Sequence, residues 1–261
     1  MPRARIEHAS DQRLADYRDL KRGVRAPETF VAEGRLIVRR LLGGSRFRAR
    51  SVLATEHALA EVGDVLPDDV LVYVAPGDVI RRVVGYPFHR GCLAIGERGP
   101  EVPLDAFLAA RRLVALEGIT NPDNVGGIFR GAMAFGVDGV LLSPGCADPL
   151  YRRTIRVSMG GSLRVPFAPL PAWPDELRRL RDAGFTVIAL TPDGSTDAAE
   201  LGVTRPLPTR FALVLGGERE GVGAATRAAA HLTVAIRMPP GDHSLNVATA
   251  AGIALHRLHR R

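Results

Sequence analysis

The sequence predicts an α/β protein in two parts: a small N-terminal α/β unit and a larger C-terminal unit built on a parallel sheet. From residue 111 onward, short apolar segments alternate with helical segments, the pattern of strands joined by crossover helices. The first hundred residues contain similar segments at less regular spacing. Between the two parts, residues 98–112 carry two prolines and mixed charge, which is typical of a connector. The predicted division is therefore 1–100, a linker at 101–110, and 111–261, within a chain of 261 residues that is long enough for two domains.

The elements of the first part follow from the spacing of apolar residues. The stretch DQRLADYRDLKR (11–22) has helical spacing, and TFVAEGRLIVRRLL (29–42) predicts a short strand or turn followed by a helix. Three apolar runs predict strands, at 49–55, 69–76 and 91–97, and GDVIRRVVG (77–85) predicts a helix between the last two.

The second part is more regular. Six apolar runs predict strands, at 111–119, 137–145, 163–170, 185–192, 210–218 and 231–239. Helices are predicted at 124–136, 151–161 and 173–184, and Ser244 is expected to open a last helix, where serine commonly caps free amide groups.

The composition bounds the partners of the protein. The net charge is +7 and the sequence pI about 10.3, which favours a polyanionic partner, nucleic acid before membrane. An arginine-rich codon bias explains arginine in place of lysine, but not the excess of cations over acids. Cys92 and Cys146 have no zinc or redox spacing, and neither a signal peptide nor a membrane-spanning run is recognisable. We therefore expect a cytoplasmic protein with reduced cysteines, no metal and no membrane.

Three loops at predicted strand ends are unusual. They read TNPDNVGGIFR (120–130), GGEREGVG (216–223) and PPGDHSLN (239–246), and each combines glycine or proline with polar side chains. In open α/β sheets, ligands bind outside the carboxyl ends of the strands, so these loops are expected to line one pocket. The dinucleotide fingerprint, the P-loop, the zinc-protease motif and the nucleophile elbow are all missing. Taken singly, each polar residue in these loops also has an ordinary structural explanation, as a cap, a turn or a solvated charge.

Together, the same stretches carry a resemblance. NPDNVGGIFRGAMAFGVDGVLLSPGCADP, LVLGGEREGVG and IRMPPGDHSLNVATAAG resemble, in order, the three motifs of the SpoU (TrmH) family of RNA ribose 2′-O-methyltransferases, part of the SPOUT superfamily. The resemblance spans residues 111–256. FVAEGRLIVRRLL is similar to an RNA-binding domain that often precedes this catalytic domain and resembles small ribosomal proteins that bind kinked RNA.

The resemblance implies a trefoil knot in the C-terminal unit, S-adenosylmethionine as cofactor, RNA as substrate and a homodimer. It implies catalytic roles for Asn121, Arg130, Glu218, Ser244 and Asn246. It implies cofactor binding by Leu190, Thr191, Gly216, Gly217, Ile236, Met238 and Leu245. Gly217, Arg219 and His243 depart from the usual motif residues; we expect His243 to lie at the rim of the site rather than act as a base.

An arginine is effectively always protonated, so we expect Arg130 to clamp the phosphate beside the target ribose rather than accept a proton. Glu218 would orient Arg130 or Asn121, while Ser244 and Asn246 would hold the loop and the ribose. Large-subunit ribosomal RNA is the favoured substrate. The alternatives are a transfer-RNA 2′-O-methyltransferase, an antibiotic-resistance ribosomal-RNA methyltransferase, a base-nitrogen methyltransferase of the same superfamily, and a non-catalytic RNA-binding protein.

A cluster of arginines in the first part is expected to bind RNA phosphates. Its members are Arg35, Arg39, Arg40, Arg46, Arg48 and Arg50.

Overall fold

The computed structural model describes residues 2–20, 28–239 and 244–259, which form two compact units. The first unit comprises Met1–Pro100 and Leu150–Arg164, and the second comprises Glu101–Pro149 and Val165–Arg261. In chain order the α-helices are α1 Arg35–Leu42, α2 Glu56–Val62, α3 Gly77–Val84, α4 Pro122–Ala134, α5 Arg152–Val157, α6 Glu176–Asp182, α7 Ala224–Ala229 and α8 Val247–Leu258. The strands are β1 Arg3–Arg5, β2 Thr29–Glu33, β3 Ala49–Ala54, β4 Leu71–Val74, β5 Cys92–Glu97, β6 Arg112–Glu117, β7 Gly139–Leu142, β8 Phe167–Pro169, β9 Thr186–Leu190, β10 Thr196–Asp197, β11 Phe211–Gly216 and β12 Leu232–Ala235.

The first unit contains a mixed five-stranded sheet. Its order is β1-β4-β3-β5-β2, in which β1, β4 and β3 are parallel and β5 runs antiparallel to both of its neighbours. The core beneath the sheet is apolar and includes Ile6, Leu14, Tyr17, Leu53 and Ile80, all fully buried. This unit therefore has its own hydrophobic core.

The second unit confirms the predicted parallel sheet. Seven parallel strands lie in the order β10-β12-β9-β11-β6-β7-β8. One face packs against α4 and α8 through residues such as Val125 and Leu255, and the other packs against α6 through residues such as Leu177. Because both faces are covered, the central strands are apolar along their whole length, which is the signal that the sequence displays. The carboxyl ends of β9, β11 and β12 consequently meet at one edge.

Two segments belong to a different unit from the one expected from the sequence. Residues 101–110 belong to the second unit, because Leu104 and Phe107 in a short 3-10 helix are buried in its core. Residues 150–164 belong to the first unit, where Ser45 Oγ donates to the Leu163 carbonyl at 2.9 Å and Arg164 donates to the Gly43 carbonyl at 2.9 Å.

Some local elements also differ from expectation. The predicted helix at 11–22 is a 3-10 helix over Gln12–Tyr17, and the structure describes this stretch only as far as residue 20. Leu14 and Tyr17 are buried three residues apart, a spacing that matches the three-residue turn of a 3-10 helix. The helices α2 and α7 and the short strands β1 and β10 were not predicted. Across the described ranges, no helix is long and apolar enough to cross a membrane.

Candidate active site

A cavity of about 490 Å³ lies at the carboxyl ends of β9, β11 and β12. Its size is typical of a small-molecule site. All seven residues expected to hold the cofactor line it, together with three of the five expected catalytic residues: Leu190, Thr191, Gly216, Gly217, Ile236, Met238, Leu245, Glu218, Ser244 and Asn246. Segments that are far apart in sequence therefore meet at the place where open parallel sheets bind their ligands.

The glycine loop after β11 forms one wall of the cavity, and Glu117 holds it in place. The backbone carbonyl of Glu117 accepts from Gly217 N at 2.9 Å, and its carboxylate accepts from Gly223 N at 3.1 Å and from the Thr226 hydroxyl at 3.0 Å. Glu117 thus contacts both ends of the loop. A Cβ on Gly216 would lie 2.0 Å from the carbonyl carbon of Gly221, so this fold of the loop requires glycine there.

Asn124, which sequence reasoning missed, connects two of the predicted residues. It is 3% exposed; its amide nitrogen donates to Glu218 Oε1, and its amide oxygen accepts from Asn246 Nδ2 at 2.7 Å. This chain of hydrogen bonds joins α4, the glycine loop and the start of α8. The sequence partly indicated that Asn124 is buried and hydrogen-bonded. Asn124 lies four residues before Ile128, on the apolar face of the predicted helix, and a buried amide needs hydrogen-bond partners.

The last helix does not begin at Ser244. It begins at Val247, and Asn246 is the capping residue, because its side-chain oxygen accepts from Ala248 N at 2.9 Å and Thr249 N at 3.3 Å. Asparagine is as good a cap as serine, so the sequence allowed either choice. Ser244 is exposed and lines the cavity instead. His243 lies outside the described residues.

Arg130 lies on α4 and Asn121 immediately precedes that helix, and neither residue lines the cavity. Asn121 caps the helix, since its side-chain oxygen accepts from Asp123 N at 2.9 Å. Arg130 is exposed, and its side chain forms no hydrogen bond or ion pair within the part of the chain that the structure describes. Glu218 accepts its hydrogen bond from Asn124 rather than orienting Arg130 or Asn121.

The cavity lining fits S-adenosylmethionine chemically. The side chains of Leu215, Val222 and Ile236 offer apolar contact for a purine ring, and the glycines let a ligand approach the main chain closely. The polar groups of Glu218, Ser244 and Asn246 supply acceptors and donors for hydroxyl and amine groups.

The arginines expected to bind RNA are largely engaged within the first unit. Arg35 pairs with Glu61, Arg39 with Asp64, Arg48 with Asp69 at 3.2 Å, and Arg50 with Glu97 at 3.2 Å. The hydrogen bonds from Arg39 lower the pKa of Asp64 below its ordinary value, as expected for a close pair. Arg40 donates to the Met159 carbonyl, and the Arg46 guanidinium lies 4.3 Å from the centre of the Phe47 ring. The predicted cluster is therefore not a set of free cations.

Comparison with known proteins assigns the family. The model of the SpoU rRNA Methylase family matches residues 111–256. An uncharacterized tRNA/rRNA methyltransferase of Mycobacterium bovis is 41% identical over 258 residues, covering 96% of this chain and 89% of that protein. The 23S rRNA (guanosine(2553)-2'-O)-methyltransferase RlmP of Bacillus subtilis is 26% identical over 257 residues, covering 97% and 98% of the two chains. The crystal structure of an AdoMet-bound rRNA methyltransferase from Sinorhizobium meliloti superposes with a TM-score of 0.80 at 26% identity and covers 98% of this chain and 97% of that one.

A parallel α/β domain with a ligand-sized cavity at its carboxyl edge, matched over more than half of the chain, defines an RNA methyltransferase that uses S-adenosylmethionine. The chain belongs to the SpoU rRNA methylase family.

Proposed function

We propose that this protein transfers the methyl group of S-adenosylmethionine to a ribose 2′-hydroxyl of large-subunit ribosomal RNA. The observation that carries the proposal is the cavity at the carboxyl ends of β9, β11 and β12, which is lined by all seven residues expected to hold the cofactor. The family description and the Bacillus subtilis relative, which acts on a guanosine 2′-O of 23S rRNA, support this substrate.

When bound, S-adenosylmethionine supplies an activated methyl group. The residues of this chain hold it: Leu190, Ile236 and Leu245 by apolar contact, and Gly216 and Gly217 by leaving the backbone open to close approach. The hydrogen-bond chain from Glu218 through Asn124 to Asn246 keeps the glycine loop in register with the start of α8. Positioning of this kind is the main contribution that an enzyme makes to a displacement at a methyl carbon.

Arg130 acts on the RNA. Its guanidinium is exposed and unpaired within the described ranges, which suits it to a phosphate next to the target ribose. Because an arginine stays protonated, it stabilises negative charge on the 2′-oxygen, and the hydroxyl proton leaves to the phosphate or to water.

The assembly proposed with this function is a homodimer formed through α8. An open apolar surface on that helix is lined by Phe135, Ala248, Thr249, Gly252, Ile253, His256 and Arg257, and Ile253 is 38% exposed. Small residues at 248 and 252 allow a second helix to approach closely. A trefoil knot in the C-terminal segment belongs to the same proposal, supported by the position of β12 between β10 and β9 and by the return of α8 onto α4.

The first unit is proposed to select the RNA, and the distinguishing experiment follows the methyl group. The protein is incubated with labelled S-adenosylmethionine and either ribosomal or transfer RNA, and the RNA is digested to nucleosides. We expect label on ribose in large-subunit RNA. Label in transfer RNA would identify transfer RNA as the substrate instead, and label on a base would identify a base methyltransferase. RNA binding without methyl transfer would indicate a non-catalytic RNA-binding protein. Resistance to a ribosome-directed antibiotic, gained with the gene and lost without it, identifies a resistance enzyme.

A further inference from the structure

A second concave site lies wholly within the first unit. It has a volume of about 430 Å³ and is bounded by the start of α1, the first turns of α2 and α3, and the loop before β5. Its lining is Arg35, Thr55, His57, Ala58, Gly77, Arg81, Phe88, His89, Arg90 and Gly91. We call it the arginine cleft.

The arginine cleft carries positive charge that is only partly neutralised. Three arginines and two histidines line it, and no aspartate or glutamate does. Glu61, which is not among the lining residues, pairs with Arg35 and lies 3.1 Å from His57 Nε2, and Glu33 lies 3.5 Å from Arg90 Nε. The side chains of Arg81 and His89, in contrast, form no hydrogen bond or ion pair with any residue that the structure describes. The Arg81 side chain extends back along α3, with Nη1 3.9 Å from the point where a Cβ of Gly77 would be.

The backbone around the arginine cleft fixes these cations in place. Gly91 has φ +75°, and a Cβ there would lie 2.8 Å from the Ala58 Cβ, so the loop that carries His89 and Arg90 packs directly on α2. The Gly91 carbonyl accepts from Thr55 N at 2.9 Å, which secures the same contact. Gly34 has φ +96°, and its missing side chain leaves room for the Arg90 Cδ, which would lie 3.3 Å from a Cβ. A loop held in this way presents its cations with little loss of entropy on binding.

We propose that the arginine cleft binds phosphate groups of the RNA substrate, with Arg81 as its principal free cation. The Arg35 and Arg90 side chains are 46% and 49% exposed, which suits a ligand that remains partly in solvent, as a backbone phosphate does. Guanidinium groups are the protein donors best matched to phosphate oxygens. This inference rests on the proposed function, because the RNA is the substrate assumed there. Of the arginines predicted from the sequence, only Arg35 lines this cleft; its other cations lie on α2, on α3 and in the loop before β5.

The test compares neighbouring arginines of one helix. Arg81→Glu removes the free cation, whereas Arg82→Glu makes the same change of charge at a residue that is paired with Asp78 at 2.7 Å and lies outside the cleft. The dissociation constant for ribosomal RNA is measured at several salt concentrations, together with the dissociation constant for S-adenosylmethionine. We expect Arg81→Glu to weaken RNA binding about tenfold or more and to reduce the salt slope by about 1, as for loss of a phosphate contact. Arg82→Glu is expected to have a much smaller effect.

Three results overturn the proposal: equal weakening by the two variants, no weakening by either, or an unchanged salt slope for Arg81→Glu. Adenosine monophosphate and inorganic phosphate serve as competitor probes. Competition by either at micromolar concentration, with the effect lost in Arg81→Glu, would assign the cleft to a free nucleotide or phosphate and overturn the RNA assignment. Methyl transfer by the unaltered protein is scored separately, so failure of the cleft leaves the proposed activity standing.

Discussion

At the scale of single residues, the role proposed for Arg130 on the RNA can be tested separately from binding of the cofactor. Arg130→Ala should lower methyl transfer about 100-fold or more, because it removes a charge-stabilising donor. The affinity for S-adenosylmethionine should stay within about twofold, since Arg130 does not line the cavity. Single-turnover transfer and calorimetric titration of the cofactor measure the two effects. Arg178→Ala, which removes an exposed arginine from α6, is the control. Near-normal transfer by Arg130→Ala would remove the residue from the reaction.

Two asparagines near the start of α4, Asn124 and Asn121, allow the same substitution to be compared at a buried and at an exposed position. Asn124→Asp places a buried carboxylate against Glu218, where the amide had donated a hydrogen bond. Two carboxylates within hydrogen-bonding distance repel each other, and this repulsion raises the pKa of one of them. Cofactor affinity should therefore fall about tenfold at pH 8 and recover towards pH 5, where a protonated acid can donate as the amide did.

Asn121→Asp is the control for that change. Asn121 is an exposed helix cap, and aspartate caps a helix equally well. Its cofactor affinity should match that of the unaltered protein at both pH values. If Asn121→Asp loses affinity and Asn124→Asp does not, the hydrogen-bond chain assigned to the site is wrong.

Between elements, the close approach of α4 and α8 depends on one glycine. A Cβ on Gly127 would lie 2.7 Å from the Ala248 Cβ, whereas a Cβ on Gly131 would lie 3.9 Å from the nearest Leu255 atom. Gly127→Ala should lower the thermal midpoint, because overpacking costs about 1–3 kcal/mol and exceeds the helix-propensity gain of about 1 kcal/mol. Gly131→Ala should keep that gain and raise the midpoint by a few degrees. Thermal denaturation of both variants measures the two midpoints. A higher midpoint for Gly127→Ala than for the unaltered protein would refute the packing argument.

The elements also show what a sequence can predict. The strands of the second unit were predicted because they are buried on both faces and carry continuous apolar runs, as in Leu113–Leu116. The helices α2 and α7 have six or seven residues and few large apolar side chains, so their pattern is weak. Strand β1 reads RAR and is specified by its pairing with β4 rather than by its own residues.

The same reasoning explains the outcome at the cavity. The resemblance identified many of the residues that line it, and most of these occur in the motifs around 213–223 and 236–252, although Leu190 and Thr191 lie outside the three motifs. It did not identify Asn124, whose partners Glu218 and Asn246 lie 94 and 122 residues away, or Glu117, whose carboxylate contacts the amide of Gly223. These contacts depend on the register of β6 beside β11, which a single sequence does not specify.

For the whole molecule, the proposed homodimer can be tested on its apolar surface. Ile253→Glu places a charge on the exposed face of α8 and should produce a monomer with reduced transfer activity. Leu36→Glu changes an apolar residue of the first unit that is more exposed than Ile253, at 46% against 38%, and should leave the oligomeric state unchanged. Light scattering coupled to gel filtration measures the mass. A fully active monomer, in either the unaltered protein or the variant, would contradict the proposal.

Residues 150–164 make the first unit discontinuous in sequence, which affects both how the chain can be truncated and how the unit can be exchanged by recombination. Leu150, Ile155 and Leu163 are at most 2% exposed, and they belong to the first unit although they are encoded between two strands of the second. A chain that begins at residue 105 would keep these side chains and lose the surface that covers them, so it should aggregate more readily than the full chain. The first unit is encoded in two separate segments, with boundaries after residues 100, 149 and 164. Recombination at a single breakpoint would therefore split it. An intact exchange of the first unit between relatives would have to preserve all three junctions.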